Sequence, residues 1–432
     1  MIPADYPDRH LLANEVHARP SDSSTTPSRA SCIAILVSPD ERAQELAHMG
    51  VICRRVGALA PVADTIHFTV AFGGVRLKWE RHGEFSSYTF STDGAADDPF
   101  AETAMSLLPR DWVNGLPGRT VFAGHAAILP LADRAPDAQD LARTFQTNTV
   151  VGANIGGGGG LAFTDFRIHK DGFSRFLLYN RSFTDEQTGR MLQRLFEIET
   201  YRMMALLALP MAREQSRRLS FIERDLARVT DNIARGVLED EKMLQDLTSL
   251  AVEVESRLAG SQFRFGACKA YHDLVIRRIA ELREERLPVI QTIGDFMIRR
   301  FTPAAATCAS TAQRLRDLSE RVAQTSSLLS TRVDIARQRQ SQLLLASMNK
   351  RARLQLRLQR TVEVLSVIPI TYYLTALLDH VFAAVGEKIP GFHAEVASAI
   401  AIPVVMLLVI AALVRAHHKI LADPDARDEP KP

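Results

Sequence analysis

Three short polar segments in the first part of the chain carry the side chains best suited to acid–base chemistry or to binding an anion. In an extended backbone alternate residues share one face, so each segment would present its charged residues together. These faces hold Glu15, His17 and Arg19 in the first segment, Arg76, Lys78, Glu80 and His82 with the adjacent Arg81 in the second, and Asp165, Arg167 and His169 in the third. If the faces converge, a histidine beside a carboxylate and several guanidinium groups forms a site for anion binding or proton transfer. The alternative is an antiparallel sheet with one solvated face, whose charges pair across neighbouring strands.

No familiar catalytic or metal-binding motif accompanies these segments. The chain contains neither HExxH nor GxSxG, the signatures of many metalloproteases and hydrolases. Its four cysteines are isolated from one another, so we expect buried, reduced thiols rather than a zinc site. The run Gly156 to Gly160 is not followed by the Lys-Ser/Thr of a phosphate-binding loop, and it predicts a turn between strands. We therefore expect no metal and no cofactor.

Residues 1–185 alternate short β-like runs with turn sequences. The runs cover residues 32–37, 66–72, 75–81, 85–91, 120–129, 161–169 and 175–180. Gly73-Gly74 and His82-Gly83-Glu84, between adjacent runs, are typical of tight turns that join antiparallel strands. Helical patterns lie between residues 37 and 66 and near residues 100–108. We predict an α+β domain with a mainly antiparallel sheet.

Residues 186–360 lack strand signals and form a predicted stalk of long helices. Apolar residues recur there with alternating steps of three and four, which lines one stripe of a helix and requires a second helix to cover it. The stripes are Leu219, Ile222, Leu226, Val229 and Ile233; Leu244, Leu247, Ala251, Val254 and Leu258; and Leu315, Leu318 and Val322. Breaks predicted at Gly260-Ser261 and Thr302-Pro303 give a coiled-coil-like arrangement of about three antiparallel helices. We expect a homo-oligomer that assembles through this stalk.

A C-terminal transmembrane hairpin is predicted over residues 361–416. Residues 396–414 contain no charged residue, and as a helix they would extend about 28 Å, close to the thickness of the hydrocarbon core. The apolar stretch 364–378 is short for a span, so the first span is extended to residue 385. This extension places Asp379 and His380 in the membrane, where they must reach the headgroups or face a partner helix.

The charges around the hairpin predict its orientation. Residues 335–362 carry seven basic residues and no acidic residue, and Arg415, His417, His418 and Lys419 follow the second span. The loop between the spans holds one lysine and two glutamates. The positive-inside rule therefore places both termini in the cytoplasm, with residues 417–432 as a polar cytoplasmic tail.

Four sequence motifs resemble a family of bacterial proteins. They are Asn14-Glu15-Val16-His17-Ala18-Arg19-Pro20, the stretch WERHGEFSSYTF from Trp79 to Phe90, DFRIH from Asp165 to His169 with Asp171-Gly172-Phe173, and EIETYRM from Glu197 to Met203. Together with the stretch from Leu365 to Tyr373, they make the chain similar, nearly end to end, to domain-of-unknown-function family 3422. The resemblance implies a membrane-anchored cytoplasmic protein with no established activity and no assigned catalytic residues. We therefore expect a multi-pass protein of the bacterial inner (cytoplasmic) membrane.

The order of the predicted parts also resembles the CorA-type magnesium channels, in which a cytoplasmic α/β domain and long helices precede two C-terminal spans. Those channels carry Gly-Met-Asn at the end of the first span, where this chain has Asp379-His380-Val381-Phe382. The resemblance is one of architecture, and ion selectivity by that filter is not implied.

Three functions fit these observations. The first is a non-enzymatic, membrane-anchored interaction or scaffold protein that contacts the lipid bilayer and binds another protein or an anionic ligand. The second is an oligomeric CorA-like ion channel or transporter that uses Asp379 and His380. The third is an enzyme acting on an anionic substrate at the polar segments. Because no complete catalytic motif is present, we favour the first; the balance of 52 Lys and Arg against 50 Asp and Glu argues against nucleic acid as a partner.

Overall fold

A computed structural model of the chain describes residues 5–15, 23–131, 135–236, 240–386 and 394–421. The chain divides into two compact units, Met1–Leu329 and Ser330–Pro432. The first unit contains a nine-stranded, mostly antiparallel sheet with helices packed on it, and the second contains the end of a very long helix and a terminal apolar helix. The α+β class is confirmed, while the domain boundaries at residues 185 and 360 stay predictions.

One continuous sheet organises the first unit. Its strands are β1 (Ser28–Leu36), β2 (His67–Phe72), β3 (Val75–Arg81), β4 (Phe85–Asp93), β5 (Arg119–Pro130), β6 (Val151–Ile155), β7 (Gly160–Thr164), β8 (Ser174–Asn180) and β9 (Glu285–Arg286). They lie in the order β2-β3-β4-β1-β5-β8-β7-β6-β9. Strands β5 and β8 pair in parallel, and the other neighbouring strands pair antiparallel.

The longest helices lie in the second half of the chain. They are α1 (Arg9–Glu15), α2 (Arg42–Val56), α3 (Arg110–Asn114), α4 (Ala138–Thr144), α5 (Asp185–Leu206), α6 (Leu209–Arg235), α7 (Asp240–Leu282), α8 (Ile293–Arg300), α9 (Thr302–Gly386) and α10 (Ala394–Leu421). Short 3₁₀ helices cover Pro39–Glu41 and Ala104–Leu107.

Six of the seven predicted strands are present close to their predicted limits, and the seventh is shorter. The run expected to extend to His169 ends at Thr164, because Phe166 adopts a left-handed backbone with φ of 52° and a strand requires an extended one. Strand β6 was not predicted, since most of its residues are buried and a short apolar run buried on both faces shows no alternation. The glycine run forms the turn between β6 and β7, as predicted.

The two faces of the sheet carry separate cores. On one face Trp79, Tyr88 and Phe90 pack beneath α2 and the short helices. Glu45 of α2 is buried there, where its carboxylate accepts hydrogen bonds from Trp79 Nε1 (3.0 Å) and Tyr88 OH (2.7 Å). On the other face helices α5 to α9 contribute to the core.

Helix α5 covers the face that carries the polar residues of β3. It begins after Thr184, whose side chain accepts a hydrogen bond from Gln187 N in a capping box, an arrangement that satisfies donors left open in the first turn. Its Leu192, Leu195 and Phe196 are buried in the core against the sheet. Lys78 and Glu80 are therefore buried, and the alternative of a solvated charged face is wrong for β3.

The predicted apolar stripes are buried or half-buried, but one predicted break is absent. Helix α7 continues through Gly260 and Ser261 to Leu282. The break between α6 and α7 instead follows Arg235, where Gly236 adopts φ of 64°, the left-handed conformation that commonly ends helices. The predicted boundary at Thr302-Pro303 is confirmed as the start of α9.

Two helices among the described residues are long and apolar enough to cross a membrane. The first is the C-terminal part of α9, which continues through Pro369, and the second is α10, which contains Pro403. Most residues of their apolar segments are exposed, in contrast to the apolar stripes of the first unit.

Candidate functional site

A narrow cleft that contains charged and hydroxyl side chains lies between the sheet and α5. Its volume is about 70 Å³, enough for a few water molecules or one small polar group. Its walls combine charged, hydroxyl and aromatic side chains from three neighbouring strands and the helix. The residues that line it are Ser23, Ser24, Cys32, Lys78, Glu80, His82, Phe85, Ser87, Thr89, Ser91, Gly189, Leu192, Gln193, Phe196, Glu197, Thr200 and Tyr201. We call it the sheet–helix cleft.

A buried ion pair forms the strand wall of the cleft. The Nζ atom of Lys78 lies 3.2 Å from Oε1 of Glu80, and their side chains are 5% and 10% exposed. The two residues are on the same face of β3 because they are separated by one position. Desolvating two charges costs several kcal/mol per ion and is only partly offset by their attraction. A buried pair at the edge of a cavity is therefore a candidate for function.

Cys32 of β1 faces the same cleft and remains a thiol at neutral pH. Burial raises its pKa to about 12, the Glu80 carboxylate also raises it, and a hydrogen bond with Thr89 lowers it in part. Because the thiolate is the nucleophile, Cys32 is not suited to nucleophilic catalysis.

The helix wall is held in place by helix α7. Glu197 accepts a hydrogen bond from Gln193 Nε2 (2.7 Å) and forms an ion pair with Arg278 of α7. Tyr201 stacks on Tyr271 of α7 with ring centroids 5.8 Å apart. The charge of Glu197 is thus neutralised from outside the cleft, and its orientation is fixed before any ligand binds.

The rim of the cleft is tied to α7 through the turn between β3 and β4. Arg264 Nη2 donates to Glu84 Oε2 (2.6 Å), and Tyr271 OH donates to Glu84 Oε1 (3.2 Å). Burial and the adjacent carboxylate raise the pKa of Tyr271. In the same turn the ring of His82 stacks on Phe85 with centroids 4.2 Å apart.

The structure separates the residues of the second polar segment. Glu80 and His82 line the cleft, whereas the Arg81 guanidinium donates to the carbonyl oxygen of Ala63 (2.7 Å). Arg76 donates to the carbonyl oxygen of Ser23.

The first polar segment lies largely outside the described residues. His17 and Arg19 are not described, nor is the side chain of Glu15. The backbone of Glu15 ends helix α1, so the extended conformation expected at this position is wrong.

The third polar segment forms a buried cluster of its own. His169 Nε2 lies 2.9 Å from Asp165 Oδ2, and their side chains are 2% and 0% exposed. Asn148 Nδ2 donates to the same Asp165 oxygen (2.8 Å), while Arg167 is exposed. None of these residues lines the sheet–helix cleft, so Arg167 and His169 do not join Glu80 and His82 there.

Sequence reasoning missed a second polar contact, between Ser31 and His125. Ser31 Oγ lies 2.8 Å from His125 Nδ1, and the imidazole stacks on Phe173. Burial lowers the pKa of His125 to about 4. Ser31 is fully buried and accepts a hydrogen bond from Met105 N, so the pair has the residue types of a hydrolase but no access for a substrate.

The two polar residues of the first predicted span lie on the exposed part of α9. His380 Nδ1 is 2.9 Å from the carbonyl oxygen of Ala376, one helical turn earlier, and Asp379 is exposed. Among the described residues, no group of three or more His, Cys, Asp and Glu side chains is arranged to hold a metal ion.

The model of one protein family, described as Protein of unknown function (DUF3422), matches residues 4–420. The chain belongs to this family. No curated protein matches the chain. The stretches Trp79 to Phe90 and Glu197 to Met203, which carry the resemblance noted from the sequence, supply opposite walls of the sheet–helix cleft. The cleft is therefore the place in this DUF3422 protein where two such stretches meet.

Proposed function

We propose that this DUF3422 protein is a membrane-anchored interaction protein, whose first unit binds a polar group of a partner in the sheet–helix cleft. The observation that supports anchoring most directly is the exposure of large apolar side chains on α9 and α10. Leu365 and Ile368 are 67% and 70% exposed, and Leu407 and Leu408 are 66% and 64% exposed. Each side chain of this kind gains about 1.5–3 kcal/mol when it leaves water, so a lipid environment would stabilise both helices.

Charge supports one orientation of these helices. The seven basic residues of positions 335–362 precede the first apolar segment along a single helix, and Arg415 follows the second. Cytoplasmic flanks of membrane spans are enriched in Lys and Arg. We infer a hairpin in the inner membrane with both ends in the cytoplasm.

The cleft favours a neutral or zwitterionic polar group over a free anion. Lys78 is paired with Glu80, and Glu197 is paired with Arg278, so the walls contain no excess of positive charge. The hydroxyls of Ser87, Thr89 and Ser91 supply both donors and acceptors. An amide or a polar side chain of a partner protein would form hydrogen bonds with these hydroxyls.

Self-association through the long helix is the second part of the proposal. Leu343, Leu354 and Leu358 are 72%, 52% and 67% exposed, and their spacing places them on one side of α9. Covering this side with the same helix of another copy would remove these leucines from water. Crosslinking in native membranes should give discrete oligomers, and Leu354→Lys with Leu358→Lys should abolish them; discrete oligomers of unchanged size in this variant would contradict the stalk contact.

Membrane fractionation tests the anchoring. We expect the full chain to remain in the membrane pellet after alkaline carbonate extraction, and a fragment of residues 1–329 to be soluble and monodisperse. The fragment retains the sheet and the helices that cover it. Release of the full chain by carbonate, or retention of the fragment in the pellet, would contradict the proposal.

A further inference from the structure

A second cleft in the first unit is lined by arginines and lies apart from the sheet–helix cleft. It has a volume of about 480 Å³ and is bounded by the first turns of α5, the last turns of α7 and the turn between β6 and β7. Clefts of about 300–1,000 Å³ are typical of small-molecule sites. Its charged residues are Arg190, Arg194, Arg277, Glu281 and Arg283. We call it the arginine cleft.

The single carboxylate of the arginine cleft is already neutralised. Glu281 Oε2 lies 3.1 Å from Arg194 Nε and 3.0 Å from Arg278 Nη1. No acidic partner lies within ion-pair distance of Arg190, Arg277 or Arg283 among the described residues. Three guanidinium groups therefore face one cavity without a counter-charge from the protein.

Helix electrostatics explain only one of these three arginines. A cation at the end of a helix is stabilised by the helix dipole, which accounts for Arg283 at the end of α7. Arg190 lies in the second turn of α5 and Arg277 lies more than a turn before the end of α7, so neither is at a helix end where the dipole stabilises a cation. Arg283 also adopts φ of 48°, a left-handed conformation that costs a non-glycine residue about 1 kcal/mol.

The floor of the arginine cleft is rigid. The ring of Phe183 lies on the glycine turn so closely that a Cβ atom at Gly156 would be 2.5 Å from the ring. Gly156 N donates to the carbonyl oxygen of Leu282 (2.7 Å), which fixes the turn to the end of α7. The turn thus holds the α7 arginines opposite Arg190 of α5.

We propose that the arginine cleft binds a phosphate-bearing small anion. Guanidinium groups donate paired hydrogen bonds that match the oxygens of a phosphoryl group, and such charge-assisted bonds are stronger than neutral ones. The phosphoryl group belongs either to a soluble molecule or to a lipid headgroup. Either source supplies a negative charge that would neutralise the three arginines.

Calorimetric titration of the full chain in a neutral detergent with inorganic pyrophosphate tests the proposal. We expect saturable binding to the original protein that weakens with added salt. Arg190→Gln, Arg277→Gln and Arg283→Gln should each lower the affinity about tenfold, the loss of one charge-assisted contact. The matched control is Arg299→Gln, an exposed arginine of α8 outside the cleft, which should leave the affinity unchanged.

Detergent micelles containing phosphatidylglycerol separate the two sources. Displacement of pyrophosphate by this lipid would assign the site to a headgroup, and unchanged pyrophosphate binding would assign it to a soluble phosphorylated molecule. The proposal is overturned if pyrophosphate does not saturate the original protein at low salt, or if Arg299→Gln weakens binding as much as the cleft variants do. Thermal melts without pyrophosphate should match among all four variants, because the substituted side chains are exposed.

Discussion

At the scale of single residues, the Lys78–Glu80 pair shows what the alternation of side chains along a strand can and cannot predict. Alternation along β3 places Lys78, Glu80 and His82 on one face, and the structure shows all three at the cleft. Their burial did not follow from the segment itself, because the covering helix α5 comes much later in the chain. Glu197 and Tyr201, which complete the cleft, belong to this distant helix, so nothing near β3 in the sequence indicates them.

Removing one partner of this pair should destabilise the first unit strongly. Lys78→Met leaves the Glu80 carboxylate buried without its ion-pair partner, which costs about 3 kcal/mol. The double variant Lys78→Met with Glu80→Leu should recover most of that loss. Urea unfolding of the fragment of residues 1–329 measures both, with the exposed Lys269→Met as control. If Lys78→Met lowers the free energy of unfolding no more than the control does, the pair is not buried.

His125 should make stability depend on pH. Burial lowers its pKa from 6.5 to about 4 in the folded state, so the unfolded chain binds a proton more readily. The contribution of His125 to the free energy of unfolding is complete above the pKa that it has in the unfolded state. This contribution is lost as the pH falls from there towards its pKa in the folded state. Between neutral pH and about pH 5, we expect a loss of about 2 kcal/mol that His125→Gln does not show. The midpoints of urea unfolding of the original protein and of His125→Gln, measured at both pH values, check this. The same change of midpoint with pH in both proteins would contradict it.

At the scale of secondary-structure elements, the sequence predicted most strands and the apolar helix stripes but not every boundary. Strand β3 matched its prediction because one face alternates cleanly, as Val75, Leu77 and Trp79 show. Gly260 was wrongly predicted to end a helix, because a glycine weakens a helix without necessarily ending it. The residues on both sides of Gly260 are packed by neighbouring helices, and this tertiary packing decides the conformation.

Continuity of α7 predicts that Gly260→Ala is stabilising. A Cβ atom at this position would meet nothing within 4 Å, and alanine in a helix interior is favoured over glycine by about 1 kcal/mol. Gly160→Ala is the opposite case, because its Cβ would lie 2.5 Å from the carbonyl oxygen of Tyr179. Thermal melts of the fragment of residues 1–329 should therefore move up for Gly260→Ala and down for Gly160→Ala. A lower melting temperature for Gly260→Ala would indicate a break in α7.

At the scale of the whole molecule, the two units have different roles in the proposed function. The first unit contains both clefts and the buried cores on the two faces of the sheet. The second contains the exposed apolar segments and the basic residues that precede them. Sequence reasoning located the apolar segments reliably, since the absence of charge over a membrane-length stretch is a local property. It did not locate the clefts, which form where residues distant in sequence meet.

Accessibility of engineered cysteines in intact cells tests the membrane hairpin most directly. Glu395→Cys lies at the start of α10, beside the loop between the two spans, and Arg357→Cys lies in the basic stretch before the first span; the native cysteines are buried. A maleimide that reaches the periplasm but does not cross the inner membrane should label Glu395→Cys in intact cells. The same reagent should label Arg357→Cys only after the inner membrane is permeabilised. Labelling of Arg357→Cys in intact cells, or protection of Glu395→Cys until permeabilisation, would contradict the hairpin and its orientation.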